Sequence, residues 1–359
     1  MPASVERVSL RQFINLHRRF SVSLVPSRRK LYIFEPLIAK KAASHSTGYR
    51  TFMKLSVIIC TYNRAYTVTR CLDSVKQALA NAAPIEAEII VVDNASSDDT
   101  SAAVSAWSET CSFPVRLLLE PLKGLALARN CALRAAQGEI FAFTDDDCRM
   151  DVNYVRDLLF HFEGDTSPIL RGGRVELGDP TDLPITIITE QTLRRWSRSI
   201  NSARYENLGN CLAGCNMTMS RSVVEKLGFF DWRFSTKSIP AGEDIEYVYR
   251  AYLAGITIEY VPDMTVFHHH GRKTPAEGNK LFRNYMIGVG ALYAKHFFHD
   301  PNLCRQFYWD SKQATKEILT GTNLFLKEVG FSQKNKIAYN LIGAFRYFLF
   351  LFKGRPAKA

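Results

Sequence analysis

The sequence predicts an α/β fold: a mostly parallel sheet covered by helices on both faces. Two observations carry this. Apolar runs of strand length begin at Leu55, Glu88, Val115 and Glu139 and alternate with amphipathic stretches of helix length. These runs are nearly continuous in apolar residues rather than apolar at every second position, which is the pattern of strands buried on both faces. The ends of three of them carry unusual polar sequence, Thr61-Tyr-Asn-Arg64, Asp93-Asn-Ala-Ser96 and Asp145-Asp146-Asp147, and open sheets bind ligands beyond the carboxyl ends of their strands.

The elements follow in order. Leu55–Cys60 reads as a buried strand and Ala65–Leu79 as a helix with Val68, Leu72 and Val75 turned inward. Glu88–Val92 is the second strand, followed by a helix capped near Asn94–Ser97. Val115–Leu119 is the third, then a helix runs from Gly124 to Gly138, and Glu139–Thr144 is the fourth strand. The second half is less regular. Leu170–Leu177 reads as a strand, Ile185–Glu206 as a polar helical region, and Leu208–Ser220 as a Gly-rich strand or loop. Helical patterns follow at Val223–Gly228 and Ile245–Ala254, with strands at Ile256–Val261 and Thr265–His270. Residues 277–352 read as mainly helical, and no internal repeat interrupts the order.

A chain of 359 residues with 47% hydrophobic side chains is long enough to bury a full core as one large or two fused domains. Its charge of +11 is unevenly placed: residues 1–52 hold ten Lys/Arg against two acids, residues 334–359 hold six against none, and the middle holds thirty against thirty-three. Basic ends around a near-neutral body suit an anionic membrane surface better than a nucleic-acid groove; solvated basic tails are the other reading. The leader, residues 1–52, is detached in character, and Met53 reads as an alternative biological start.

The eight cysteines show no Cys-x-x-Cys pair and no compact His/Cys spacing, so they read as small core residues in a reducing compartment, without zinc or disulfides. No signal-peptide core is present, and the Ile337–Phe352 apolar stretch contains Arg346 and is short for a span. Its aromatic residues and flanking Lys336, Lys353 and Arg355 fit either a helix lying in a membrane interface or one packed on its own domain. The expected location is cytoplasmic, peripheral on the inner face of the cell membrane if that helix binds lipid.

The acidic triplet closing the fourth strand suits a hard divalent cation, because carboxylate oxygens match Mg²⁺ or Mn²⁺ and leave positions open for phosphates. By itself it is equally a solvated turn. Together with Val57-Ile-Ile-Cys-Thr-Tyr-Asn-Arg64, Ile90-Val-Val-Asp-Asn-Ala-Ser96, Gly124-Leu-Ala-Leu-Ala-Arg-Asn130 and Gly242-Glu-Asp244, it resembles the inverting family 2 glycosyltransferases, over residues 54 to 272. The resemblance implies a GT-A fold, Rossmann-like, with a nucleotide-binding half at 53–150, an acceptor-binding and catalytic half at 151–275, and a helical C-terminal extension at 276–359. It also implies a nucleotide-sugar donor, Mg²⁺ or Mn²⁺, and a glycan or lipid-linked acceptor in cell-envelope polysaccharide synthesis.

By that resemblance Thr61, Tyr62 and Arg64 line the nucleotide pocket, Asp93 accepts from the base, usually uracil, and Arg129 and Asn130 lie over the donor. Asp145 approaches the ribose, Asp147 holds the metal bridging the two phosphates, and Asp146 is the variable middle position. Asp244 is the general base and Glu243 sits on the acceptor, while His268 completes the metal site. The chemistry accounts for these types: a departing diphosphate gathers charge that a cation stabilises, and an attacking hydroxyl needs a carboxylate to take its proton. Cys211–Met219 and Gly228–Asp231 resemble the segment shaping the acceptor and donor-sugar pocket. Gln191-Thr-Leu-Arg-Arg-Trp196 imitates the Gln-x-x-Arg-Trp signature of processive synthases with one residue too many, and reads instead as polar helix. Two other classes stay open, a nucleotidyltransferase and a noncatalytic nucleotide-sugar-binding protein. The first lacks its Gly-rich, Arg-containing loop here, and the presence of Asp244 speaks against the second.

Overall fold

The computed structural model describes residues 54–198, 211–300, 302–322 and 325–353. The expectations for the leader, for residues 199–210 and for the tail beyond 353 lie outside them. Within the described residues a single nine-stranded sheet runs through both halves, in the order β3-β2-β1-β4-β8-β6-β9-β5, with β7 alongside β9.

The first four strands, β1 (Leu55–Thr61), β2 (Ala87–Asp93), β3 (Val115–Leu119) and β4 (Ile140–Asp145), are parallel. Nearly every side chain of β1, β2 and β4 is buried, as their unbroken apolar sequence requires. Register is what makes this sheet useful. Thr61 pairs with Asp93 and Cys60 with Asp145, so the polar ends of three strands meet at one edge.

Helix α1 (Val68–Asn81) buries Val68, Cys71, Leu72, Val75, Ala78 and Leu79, a stripe at the three- and four-residue spacing of one helix face. Helix α2 (Thr100–Ser108) starts later than the sequence suggests and has no side-chain cap. The residues expected to cap it are committed elsewhere. Asn94 donates to the carbonyls of Glu120 and Leu122 (3.2 and 2.7 Å) and accepts from the Gly124 N–H (2.8 Å), pinning the loop that leads into α3 (Leu125–Ala135).

After β5 (Cys148–Met150) and α4 (Tyr154–Phe162) come β6 (Ile169–Leu177), β7 (Arg194–Trp196) and β8 (Asn216–Ser220). The segment expected to be polar helix is, up to Arg198, extended chain with an edge strand. Trp196 is buried under the Arg194 guanidinium, and Arg195 reaches the buried Glu259, so cross-sheet partners decide the conformation there. Helices α5 (Arg221–Leu227) and α6 (Glu243–Leu253) precede β9 (Thr257–His268). This one strand replaces the two expected from the sequence. Pro262 has no N–H to give the ladder, but the chain continues past it because the register with β6 shifts between Gly173 and Arg174. A side chain on Gly173 would stand 1.8 Å from the Met264 carbonyl oxygen, so glycine is what permits the close approach.

The C-terminal region is helical: α7 (Pro275–His296), α8 (Asn302–Thr320) and α9 (Gln333–Lys353). A reciprocal capping box between Thr274 and Glu277 starts α7. Glycines let α7 and α9 touch backbone to backbone, since a Cβ on Gly290 would meet the Asn340 carbonyl at 1.9 Å and one on Gly343 the Ile287 carbonyl at 1.9 Å. Gly288 does the same against Ala241 (2.1 Å), seating α7 beside the start of α6. Among the described residues, no helix is long and apolar enough to cross a membrane. The outer side of α9 nonetheless exposes Leu341, Phe345, Phe348 and Phe352.

Candidate active site

The site is built where the parallel strands end. Asp93 closes β2, is buried, and accepts from the Ser96 N–H (2.9 Å) and the Ser101 hydroxyl. Thr61 is buried at the end of β1, its carbonyl bonded to the Asn94 N–H (2.9 Å). Tyr62 stands out from the edge, with Lys123 Nζ 2.5 Å from its hydroxyl. Arg64 follows on the same loop. Its side chain is half-exposed and reaches both Asp146 (3.3 Å) and Asp147 (3.6 Å).

The three acids face different neighbours. Asp145 accepts from Arg129 Nη2 at 3.4 Å and keeps a third of its side chain open. Burial, with the charge of Asp147 adding to it, raises its carboxyl above the usual range. Asp146 is nearly closed off, and burial pushes it up to about 6. Asp147 behaves oppositely. Burial disfavours its charge, but the hydrogen bond and charge of His268, 3.3 Å away, together with Arg64, hold it below the ordinary value. The same pairing overcomes burial at His268 and lifts that imidazole to about 9. Strand pairing produces this contact: β5 runs antiparallel to β9 with Cys148 opposite His268, and the His269 N–H binds the Asp147 carbonyl (2.8 Å). The rings of His268 and His270 lie on one side, 5.2 Å apart, as alternation along a strand requires.

Arg129 and Asn130 are placed differently from a lid over a donor. Asn130 is buried and spends both ends of its amide on the Phe230 backbone, donating at 2.9 Å and accepting at 2.8 Å. Arg129 is 2% exposed and works from beneath. It donates to Glu243 (3.0 Å), to Asp145 (3.4 Å) and to the Gly214 carbonyl (3.2 Å), joining the end of β4, the loop before β8 and the start of α6. Burial opposes its charge, yet Glu243 and Asp145 hold it firmly protonated.

Glu243 thus points inward to Arg129 rather than outward, and burial beside Asp244 raises its carboxyl despite that partner. Asp244 is the more open of the two, with Oδ2 accepting from the Gly214 N–H at 2.9 Å. A Cβ on Gly214 would lie 2.7 Å from that oxygen and 2.8 Å from Arg129 Nη2. Gly214 therefore joins the site, as do Asn94 and Lys123, none of which the strand and helix periodicities single out. On α7, burial and then the charge of Asp244 raise the Tyr285 hydroxyl. Two concavities of about 410 and 420 Å³ lie away from the acids, at His296 and at Phe229.

The chain is similar to known glycosyltransferases in sequence and fold. Residues 56–228 match the model of glycosyl transferase family 2. The glycosyltransferase AglE of Haloferax volcanii is 26% identical over 242 residues, 66% of this chain and 73% of that protein. TarS of Staphylococcus aureus, a poly(ribitol-phosphate) beta-N-acetylglucosaminyltransferase, is 31% identical over 118 residues, 33% of this chain and only 20% of its own length. The mannosyltransferase PcManGT of Pyrobaculum calidifontis, solved in complex with GDP-Man and Mn²⁺, shares the fold with a TM-score of 0.52 at 18% identity, over 83% of this chain and 88% of that one. With its GT-A type sheet and helical C-terminal region, the chain carries a segment, residues 56–228, that matches glycosyl transferase family 2.

Proposed function

We propose that the chain is a metal-dependent, inverting enzyme that moves one sugar from a nucleotide diphosphate, a UDP-sugar, to a hydroxyl of a glycan or lipid-linked acceptor. One observation carries the reading: Arg129 ties Asp145, on the donor side, to the base of α6, where Asp244 is held by the Gly214 N–H. Donor end and acceptor end are thereby fixed relative to one another, as transfer between two bound substrates requires.

Asp93, Thr61 and Tyr62 would receive the nucleoside, with Asp145 near the ribose. The donor set at Asp147 and His268 fits Mg²⁺ or Mn²⁺. The Asp147 carboxylate, held ionised, supplies a hard oxygen ligand, and His268 supplies a nitrogen once it gives up its proton. When bound, the cation neutralises charge on the leaving diphosphate. Arg64, half-exposed over the same acids, adds a second cation there. Asp244 takes the acceptor proton as the hydroxyl attacks, its orientation set by the Gly214 N–H, while Glu243 keeps Arg129 in place. PcManGT was solved with Mn²⁺, which supports the metal, though with GDP-Man, so the nucleotide is a point to test.

The test is a screen of UDP-, GDP- and dTDP-sugars for hydrolysis by the purified chain with Mn²⁺ and with chelator. Slow, Mn²⁺-dependent hydrolysis of a UDP-sugar is expected. Absence of binding and hydrolysis for every donor would sink the proposal. The exposed aromatic face of α9 and the basic end of the chain support peripheral contact with anionic membrane. Because α9 packs on α7, vesicle flotation is best compared with Phe345→Glu and Phe352→Glu, which should remain unbound.

A further inference from the structure

We infer that the floor of the acid cluster is a site for a soft divalent cation, zinc above all, formed by Cys148, Cys215 and His268 with Asp147 as a fourth donor. The two thiols and a ring nitrogen of His268 lie within 4.8 Å of one another. All three residues are buried, at 1%, 5% and 8% exposure. Three separate segments deliver them. Cys148 opens β5 directly opposite His268 of β9, and Cys215 stands immediately before β8. Asp147 closes the set: its Oδ1 lies 3.9 Å from Cys148 Sγ and 3.3 Å from His268 Nε2.

Buried cysteines are most often small hydrophobic residues, and Cys71 nearby shows that behaviour, packed in the core with its thiol on the Asp145 carbonyl. Cys148 and Cys215 differ. They hydrogen bond to each other and converge on an imidazole and a carboxylate. Two sulfurs and one nitrogen, with a carboxylate oxygen beside Cys148 and His268, make the kind of donor set that suits zinc, whereas Mg²⁺ and Mn²⁺ favour oxygen ligands. Mutual hydrogen bonding, then burial, holds the Cys148 thiol far above its ordinary value. Zinc entering past Asp147 displaces one proton from each thiol and one from the His268 imidazolium to solvent; no oxidation is involved. The cation would engage Asp147 and His268, the groups assigned above to the catalytic metal. Zinc would then oppose Mn²⁺, a consequence that rests on the proposed function while the binding itself does not.

Cobalt substitution tests it on the full chain. After chelator treatment, one equivalent of Co²⁺ should give thiolate-to-cobalt charge-transfer absorption that Zn²⁺ abolishes. Cys148→Ala and Cys215→Ala should each lose that band and weaken Zn²⁺ binding by more than the roughly 10–100-fold that loss of a mere supporting group costs. Cys304→Ala, at an exposed cysteine, should keep both. Wild-type protein without a thiolate band, or a band that survives in both buried-cysteine variants, overturns the inference. The spectrum needs no sugar donor, so its failure and the failure of donor hydrolysis are read separately.

Discussion

Replacing Arg129 by methionine removes the one cation shared by Asp145 and Glu243 and leaves the shape of the side chain roughly intact. The guanidinium is 2% exposed and Glu243 6%, so water does not compensate either group. At an effective dielectric constant of about 20, unit charges about 4 Å apart attract by about 4 kcal/mol. Two such pairs are lost, and the desolvation cost of the arginine is recovered, so the net should approach the roughly 3–5 kcal/mol typical of removing one partner from a buried pair. The sign of the pH dependence follows from Glu243. Its folded carboxyl is already raised above the unfolded value of 4.5 and rises further without Arg129. The added penalty is therefore absent well below the folded value of about 7 and grows as the pH climbs through it. Urea unfolding of metal-free protein at pH 8 and pH 5.5 should show the larger loss at pH 8, by at least about 1 kcal/mol, and adding Glu243→Gln should recover about as much. A loss under about 1 kcal/mol at pH 8, or an equal loss at both pH values, would refute the reasoning.

Asp244→Asn should lower kcat by about 10²–10⁴-fold while donor affinity, measured by calorimetry with Mn²⁺, stays within a few-fold; equal turnover would remove Asp244 as base. Asp147→Ala should abolish the Mn²⁺ dependence of donor binding and leave folding intact, and an unchanged Mn²⁺ titration would contradict the metal assignment. Gly214→Ala forces a methyl to 2.7 Å from Asp244 Oδ2 and should reduce kcat by at least about tenfold with a smaller change in KM; wild-type kinetics would show that the contact relaxes freely. Far from the cleft, burial opposes the charge of Asp231, but Arg233 and Lys295 hold its carboxyl at about 2 against an unfolded 3.8. Its contribution, about 2 kcal/mol, is full above about pH 4 and lost as pH falls through 2, so Asp231→Asn should cost that much at pH 7 in thermal melts and nothing in strong acid.

Much of the first half is legible from local pattern. β1, β2 and β4 match to within a residue or two, because a strand buried on both faces must be largely apolar, and Val115–Leu119 matches to the residue although this edge strand is only part-buried. Where neighbours across the sheet decide conformation, local pattern fails. The Gln191–Trp196 segment reads as helix because its polarity is local, while the partners that hold it extended, Tyr260, Glu259 and Ile258, lie more than sixty residues away. The three residues of β5 are too few to show a period, and Pro262 suggests a break that a shift in β6 absorbs.

The same division holds at the cleft. The sequence by itself determined the acids and their edge: Asp93, Asp145 and Thr61 must lie together once β1, β2 and β4 are parallel neighbours, since register is set by the apolar runs. Only the tertiary structure decided what each charge faces. Glycine at position 214 lets Arg129 and Asp244 approach one loop, burial turns Glu243 inward, and antiparallel pairing sets His268 beside Asp147 and Cys148. Chain spacing carries no record of those contacts, because they join segments brought together only by packing.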